Sequence, residues 1–422
     1  MPQIVVIADD LTGAADTGAC FAGAGFSTVI PLTSSNVPHA DVVLFSTESR
    51  DMSAAEAALA VTKAVARVSR GRPIASSASS RSDALIFYKK IDSALRGHPR
   101  DELLAAMEAI GARRALVAPA FPAEGRTTVG GRQQIGGVPV EASGIGGAGV
   151  VSDLVALVGT AQELPVRLLD LATLRGQPDA VQRLLHDDSD RIVVADAETD
   201  DDLLTLARAV GGERFPLFCG SAGFARQLAR SLPLVRSAHP RPEVVRGSGP
   251  ILVVAGSQHE ATTHQIEVLG EAGVPIVRPE QALLDNPETP VNAVVHRVAT
   301  HLAAGRSTVL TTLGLAPCPL GGHVVATRLA QIVAAPEVSH QVGGLVLTGG
   351  DVAVAVSRAL EATALWLEGE ITSGIPWGVL EGGRLHARPI ATKAGSFGDG
   401  NALLSCLDHL TSQALTRPTA TR

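Results

Sequence analysis

Short β-branched apolar runs alternate along the chain with longer Ala-, Leu- and Arg-rich runs of helical character. In the first half the apolar runs fall at residues 4–8 (IVVIA), 41–47, 85–91, 114–120, 191–197 and 215–220, with helical runs at 52–70 and 99–111 among them. Asp51 or Ser53 is placed to cap the first of these helices. In the second half apolar runs recur at 251–257, 274–279, 307–314, 344–350 and 363–368, with helices at 290–305 and 323–335. Strand-length apolar runs separated by helices are the pattern of parallel sheets covered on both faces. The expected fold class is therefore α/β, with two domains, each a largely parallel sheet flanked by helices. A Pro-, Ser-, Gly- and Arg-rich stretch at 231–250 breaks the alternation and reads as an interdomain connection. The expected boundaries are residues 1–235, a linker at 236–250, and residues 251–422. No internal repeat is visible, and residues 76–82 (SSASSRS) read as a short polar loop.

Composition narrows the class. At 422 residues the chain exceeds one ordinary core. Aromatics are only 3%, so the cores must be built from Val, Leu, Ile and Ala. A net charge of −7 argues against a general nucleic-acid partner, yet it leaves room for a local basic pocket that takes anions. Cys20, Cys219, Cys318 and Cys406 are scattered, which is neither a zinc pattern nor a disulfide framework. A strand begins almost at residue 1 without a basic and apolar leader, and no run of about 18 apolar residues occurs. A cytoplasmic enzyme without a membrane partner is the expectation.

The chemistry starts at the end of the first apolar run, where Asp9 and Asp10 stand side by side. A lone buried charge costs several kcal/mol unless it is paired or coordinates something. Asp10 as a helix N-cap would be ordinary, but that leaves Asp9 and Asp16 unexplained. Ligands of open α/β sheets bind beyond the carboxyl ends of the strands, and four such ends carry polar clusters. They are Asp9–Asp10, Glu48–Ser49–Arg50, residues 89–103 with Lys90 and Arg96, and residues 119–131 with Arg126. Guanidinium forks grip a carboxylate in two places, and Asp side chains accept from hydroxyls. The rim therefore suits a small polyhydroxy acid. In the second half, residues 253–269, 345–360 and 391–407 each read as strand, glycine turn, helix. Such turns let backbone N–H groups approach phosphates, which points to a nucleotide. Residues 218–230 form a similar turn.

Other motifs give less. GIGGAG at 144–149 fits a dinucleotide fingerprint, but the segment before it is short and carries Pro139 and Glu141 rather than a buried strand. In HEATTH at 259–264 the two histidines are five residues apart, about 500° around a helix, and leave a common face. No Walker P-loop is present, so an ATP site would have to be of another kind.

The motifs ADDLTGAADTG (8–18), KIDSALRG (90–97), PAFPAEGRTTVGG (119–131), CGSAGFA (219–225), VVAGS (253–257), LTGGD (347–351) and KAGSFGDGNAL (393–403) occur in this order. Together they resemble the four-carbon acid sugar kinase family over nearly the whole chain. The resemblance implies a two-domain, ATP-dependent kinase that phosphorylates the terminal hydroxyl of an acid such as threonate, erythronate or 3-oxo-tetronate. It implies that the N-terminal domain holds the sugar acid through Asp10, Arg50, Lys90, Asp92, Ser93 and Arg96, with Asp9 and Arg126 on the same rim. It places the nucleotide at Ser257, the turn Gly349–Gly350–Asp351–Val352, Gly395 and Gly398. The family turn often reads Gly-Gly-Glu-Thr-Ser, whereas this chain has no hydroxyl at Val352 or Ala353. On this basis Asp10 or Asp92 handles the acceptor hydroxyl, Lys90 and Arg96 steady developing charge, and Asp9 is the expected ligand for Mg²⁺. Closure about 231–250 would join the two domains. A homo-oligomer is compatible with the sequence but not readable from it. A non-catalytic sensor of sugar acid and nucleotide is the competing reading, and an NAD-dependent oxidoreductase on GIGGAG a third.

Overall fold

The computed structural model describes residues 2–33, 37–68, 85–147, 149–159, 165–176, 192–211, 217–234 and 249–415, with isolated positions between 181 and 185 and between 236 and 244. The polar loop at 76–82, the end of the helix expected to reach residue 70 and part of the 231–250 stretch lie outside them. In chain order the strands are β1 (Ile4–Ala8), β2 (Thr28–Pro31), β3 (Val42–Ser46), β4 (Ile86–Lys90), β5 (Ala115–Ala118), β6 (Arg126–Val129), β7 (Arg132–Ile135), β8 (Val138–Pro139), β9 (Val166–Leu169), β10 (Ile192–Ala195) and β11 (Leu217–Gly220). They continue with β12 (Ile251–Ala255), β13 (Ile276–Val277), β14 (Thr308–Thr311), β15 (Gly344–Thr348), β16 (Ala364–Thr372), β17 (Ile375–Glu381) and β18 (Pro389–Lys393). The chain divides into two units, one of residues 1–28 and 39–239, the other of residues 29–38 and 240–422.

The first unit is built on a parallel sheet in the order β3-β1-β4-β11-β5-β10-β9. Its central strands are buried on both faces, which explains their uninterrupted apolar sequence. Register aligns their carboxyl ends: Ala8 pairs with Ser46 on one side and Lys90 on the other, and Lys90 pairs with Gly220. Residues 9, 47, 91 and 221 therefore start from one edge. The helix Leu11–Gly23 is rich in Ala, Gly and Thr and is buried along most of its length. The helix Ala54–Val68 opens with a capping box in which Ser53 and Glu56 bond reciprocally, which decides the cap in favour of Ser53 over Asp51. The helix Pro99–Ile110 starts on a proline and ends at Gly111 with φ +65°.

Residues 119–131 do more than form a loop. Strands β6, β7 and β8 make a small antiparallel sheet. Its two tight turns are Gly130–Gly131 and Gly136–Gly137, all with positive φ, the conformation that two-residue hairpins require. Strands of two to four residues with polar sequence such as RTTV carry too little apolar alternation to announce themselves.

The second unit has a parallel portion, β13-β14-β12-β15-β18, continued by the antiparallel strands β17 and β16 and then β2. Its sheet is thus mixed. Strand β16 runs nine residues, longer than the apolar run at 363–368, and returns through a hairpin into β17. The sequence IPWGVLE hides that strand behind Pro376 and Gly378, residues that ordinarily weaken a strand. Gly378 is there for contact: a Cβ on it would lie 2.0 Å from the Trp366 carbonyl oxygen. Ala255, Thr348 and Lys393 are aligned by register, so the turns after β12, β15 and β18 share an edge. Beneath them Val253, Ile266, Val309, Val346, Ala391, Leu403 and Leu410 form the core. Among the described residues no helix is long and apolar enough to cross a membrane.

The close approach of β11 and β5 is testable at Gly220, where a Cβ would sit 2.3 Å from the Ala118 carbonyl oxygen and 3.0 Å from the Tyr88 hydroxyl. Gly220→Ala is expected to lower stability by about 1–3 kcal/mol through overpacking, read as a reduced urea midpoint.

Candidate functional site

Asp9 and Asp10 leave the end of β1 and meet a single guanidinium. Arg50 Nε and Nη2 donate to Asp9 Oδ2, both at 2.8 Å, and Nη1 donates to Asp10 Oδ2 at 2.9 Å. Asp10 is also the N-cap of the helix Leu11–Gly23: its Oδ1 accepts from the Gly13 N–H at 2.7 Å, and its Oδ2 from the Thr12 hydroxyl at 2.7 Å. Both roles considered for the aspartate pair are thus present. Asp9 is buried, which alone would raise its pKa; Arg50, then Lys90 and Lys89, outweigh burial and hold the carboxyl below its ordinary value. Arg50 is delivered by a turn in which Glu48 takes φ +49°, a conformation uncommon outside glycine and a form of strain typical of functional sites.

The segment after β4 completes the rim. Asp92 accepts from the Ala94 N–H at 3.3 Å and from Arg96, whose Nε bonds to Oδ2. The fold-back depends on Leu95, at φ +58°. Burial would raise the Asp92 pKa, but Arg50 and Arg96 drive it well below the usual carboxylate range. Lys90 donates to the Ile91 carbonyl oxygen at 2.9 Å. A Cβ on Gly13 would lie 2.6 Å from Asp10 Oδ1, 3.1 Å from Lys90 Nζ and 3.7 Å from Asp9 Oδ1. Three of the expected functional groups therefore converge on the space that Gly13 leaves open.

Two supports of the rim carry no local signal in the sequence. Lys89, next to Lys90, points into the core and pairs with Glu102 at 2.6 Å; both are almost fully buried. Lys89 also donates to the Lys90 carbonyl oxygen at 2.6 Å, while Glu102 accepts from Ser49 Oγ at 2.7 Å. One buried ion pair thus ties Lys90 and the Arg50 turn to the helix Pro99–Ile110. The second support is the β6–β7 hairpin. Asp196 accepts from the Gly130 and Gly131 N–H groups, both at 2.8 Å, and Gln133 donates to the Ser93 carbonyl oxygen at 2.8 Å. Ser93 is buried, so the segment is held through its backbone as well. Arg126, at the start of the hairpin, donates to the Glu124 carbonyl oxygen at 2.9 Å and lies within electrostatic range of Asp92 and Arg96.

In the second unit the expected nucleotide residues share the sheet edge. Ser257 is in contact with Gly395: a Cβ there would be 2.3 Å from its hydroxyl. Gly349 has φ +102° and its N–H donates to the Lys393 carbonyl oxygen at 2.9 Å; the helix Gly350–Ala359 follows. Val352 turns its side chain inward onto Gly256, where a Cβ would be 2.9 Å away, so at this position only the backbone is left for a ligand. Asp351 is exposed beside Gly322. Gly398, at φ +82°, is a packing position against Ala402.

GIGGAG does not sit in a βα unit, because the two-residue antiparallel strand β8 precedes it; Gly147 instead lies alongside Arg96. His259 caps the helix Glu260–Glu271, its Nδ1 accepting from the Ala261 N–H at 3.2 Å. The surroundings of Asp9 do not suit the Mg²⁺ ligand role expected of it. Its Oδ2 is taken by Arg50, its Oδ1 is buried without a hydrogen-bond partner, and Arg50, Lys90 and Lys89 surround it. A divalent ion needs several oxygen ligands, and one oxygen ringed by cations does not fit it. Among the described residues no group of three His, Cys, Asp or Glu side chains is placed to hold a metal.

Removing one partner of a buried ion pair costs about 3–5 kcal/mol, because the other charge is stranded. Glu102→Leu is expected to destabilise by that amount, and the double variant Lys89→Met/Glu102→Leu by clearly less. Chemical denaturation of the two variants measures the difference.

Residues 4–228 match the description "sugar-binding N-terminal domain", and residues 252–403 match "nucleotide-binding C-terminal domain". The chain is 33% identical to D-threonate kinase of Salmonella typhimurium over 97% of this chain and 98% of that one. It is 34% identical to D-threonate kinase of Bordetella bronchiseptica over 99% of each. Further relatives are named D-erythronate kinase and 3-oxo-tetronate kinase. The crystal structure of a Haemophilus influenzae protein, from a family described as of unknown function, is similar in fold. Its TM-score is 0.71 at 21% identity, covering 97% of this chain and 100% of that one. Taken with the ordered motifs and the sheet-edge geometry, these similarities show that the chain belongs to the four-carbon acid sugar kinase family.

Proposed function

We propose that the protein is an ATP-dependent kinase that phosphorylates the terminal (4-) hydroxyl of a four-carbon sugar acid, with D-threonate, D-erythronate and 3-oxo-tetronate as the candidates. The observation that carries this reading is the convergence of Asp9, Asp10 and Lys90 on Gly13 under the Arg50 clamp. The names of the relatives support the substrate class. In the proposal the first unit holds the acid: Arg50, Arg96 and Arg126 attract its carboxylate, while Ser93 and the aspartates face its hydroxyls. The second unit holds ATP through the backbone of the turns at Ser257, Gly349–Gly350–Asp351–Val352 and Gly395. Mg²⁺ enters as the counter-ion of the ATP phosphates, which with water are its preferred ligands.

Of the three carboxylates, Asp9 and Asp92 are held below the usual range by their cations and are poor proton acceptors. Asp10, which stands with Lys90 at the space beside Gly13, is the proposed base. The acceptor oxygen attacks the γ-phosphorus, its proton passes to the Asp10 carboxylate, and ADP leaves. Lys90 and Arg96 offset the charge that builds on the transferring group. The proposal places this reaction in the cytoplasm, where thiols such as the buried Cys219 and Cys406 persist unoxidised.

A coupled ADP-release screen over the three acids and their epimers is expected to show turnover with one of them. Binding of an acid by calorimetry with no ADP release across the panel would overturn the reading in favour of a non-catalytic sensor. Asp10→Asn is expected to lower kcat by about 10²–10⁴-fold, the usual contribution of a general base, with the KM for ATP little changed. An equal loss in both would remove Asp10 from the chemistry.

A further inference from the structure

Lys393 ends β18 and is fully buried, yet the reading above gives it no task. Its Nζ donates to the carbonyl oxygens of Ala394 (2.9 Å), Phe397 (3.0 Å) and Gly395 (3.2 Å), and it lies 3.3 Å from Thr262 Oγ1. Thr262 in turn donates to the Gly395 carbonyl oxygen at 2.7 Å. From the helix Glu260–Glu271, Gln265 Nε2 reaches the carbonyl oxygens of Phe397 (3.1 Å), Gly398 (3.1 Å) and Asp399 (2.8 Å). Every carbonyl oxygen from Gly395 to Asp399 except that of Ser396 is thus accounted for by an inward-facing donor.

In a trans peptide the N–H of the next residue points opposite to the carbonyl. Carbonyls gathered onto Lys393 and Gln265 therefore direct the N–H groups of Gly395, Ser396, Gly398, Asp399 and Gly400 away from them. Successive outward N–H groups make a concavity for an anion. Ser257 touches this turn at Gly395, and Gly349 is bonded to the Lys393 carbonyl oxygen.

We propose that the Lys393 ammonium is the positioning residue of the turn 394–399, holding its carbonyls inward so that its backbone N–H groups bind a phosphate of the nucleotide. This rests on the kinase reading for the identity of the ligand, but not for the state of the turn. Burial lowers the Lys393 pKa from 10.5 to about 8. Cys406 from the helix Ala402–Leu415 is the titratable group facing it, and burial pushes that thiol up to about 12, leaving it neutral in this range; Thr262 does not titrate. Nucleotide affinity should therefore fall as pH rises through about 8. Fold stability runs the other way: between about 8 and 10.5 the unfolded chain binds more protons, so stability from this group rises with pH. Loss of binding above pH 8 is then not loss of fold.

The test compares wild type with Lys393→Met and, as a milder variant, Thr262→Val. Amide hydrogen exchange without ligand is expected to be at least 10-fold faster in Lys393→Met than in wild type at Phe397, whose N–H donates to the Ala394 carbonyl oxygen that Lys393 holds, at the same pH. ADP affinity by calorimetry is expected to drop at least 10-fold and to lose its fall above pH 8, with affinity for the sugar acid within twofold. Should Lys393→Met fail to fold, Thr262→Val is expected to shift the wild-type pH profile of ADP binding to lower pH by removing one partner of the ammonium. Unchanged exchange at Phe397, or an unchanged pH profile in the variants, overturns the proposal. Faster exchange in a protein whose wild type binds no ADP sinks the nucleotide assignment and leaves the role of Lys393 standing.

Discussion

An ionised carboxylate at the inner end of a buried strand is tolerable only against a cation held at bonding distance, and Asp9 beside Arg50 is that arrangement. Most of the local structure of the first unit follows from keeping it. The Arg50 turn doubles back through a strained Glu48, and its Ser49 is anchored to Glu102. Glu102 is itself neutralised by Lys89, which steadies the carbonyl of Lys90. A chain of charge compensation thus runs from the core to the rim, and each member has a partner that makes its burial bearable. Neutral residues could fill the same volume with less desolvation cost. What they could not do is fix an arginine and a lysine around two carboxylates.

The second unit meets anions by a different physical route. Its turns offer few charged side chains: Val352 is folded onto Gly256, and Lys393 is turned inward rather than towards a ligand. The polarity of the peptide bond replaces side-chain charge, and the buried ammonium sets the direction in which that polarity points. The contrast suits the ligands proposed. A small acid with several hydroxyls needs directional side chains of both signs, whereas a phosphate chain needs many N–H donors and little stereochemical discrimination.

The residues show why the sequence was readable in some places and opaque in others. Strands β1, β3, β4, β12 and β15 are buried on both faces, so their composition alone announces them, and Asp9, Lys90 and Gly349 mark where they end. The hairpin β6–β7 and strand β17 are opaque in the sequence, because a short polar strand and a strand carrying Pro376 and Gly378 owe their conformation to neighbours. The segment 29–38 belongs with the second unit, a crossing that no local pattern encodes.

The sequence by itself determined the α/β class, the ordered motifs of the family and the rim from which the candidate side chains come, because these depend on local periodicity and on residue type. Tertiary structure alone decided that Arg50 bridges both aspartates, that Asp9 is hemmed in by cations, and that Lys89 and Lys393 face inward. Those outcomes depend on distances between residues remote in the chain, and burial there sets which charges are compensated and which backbone dipoles are exposed.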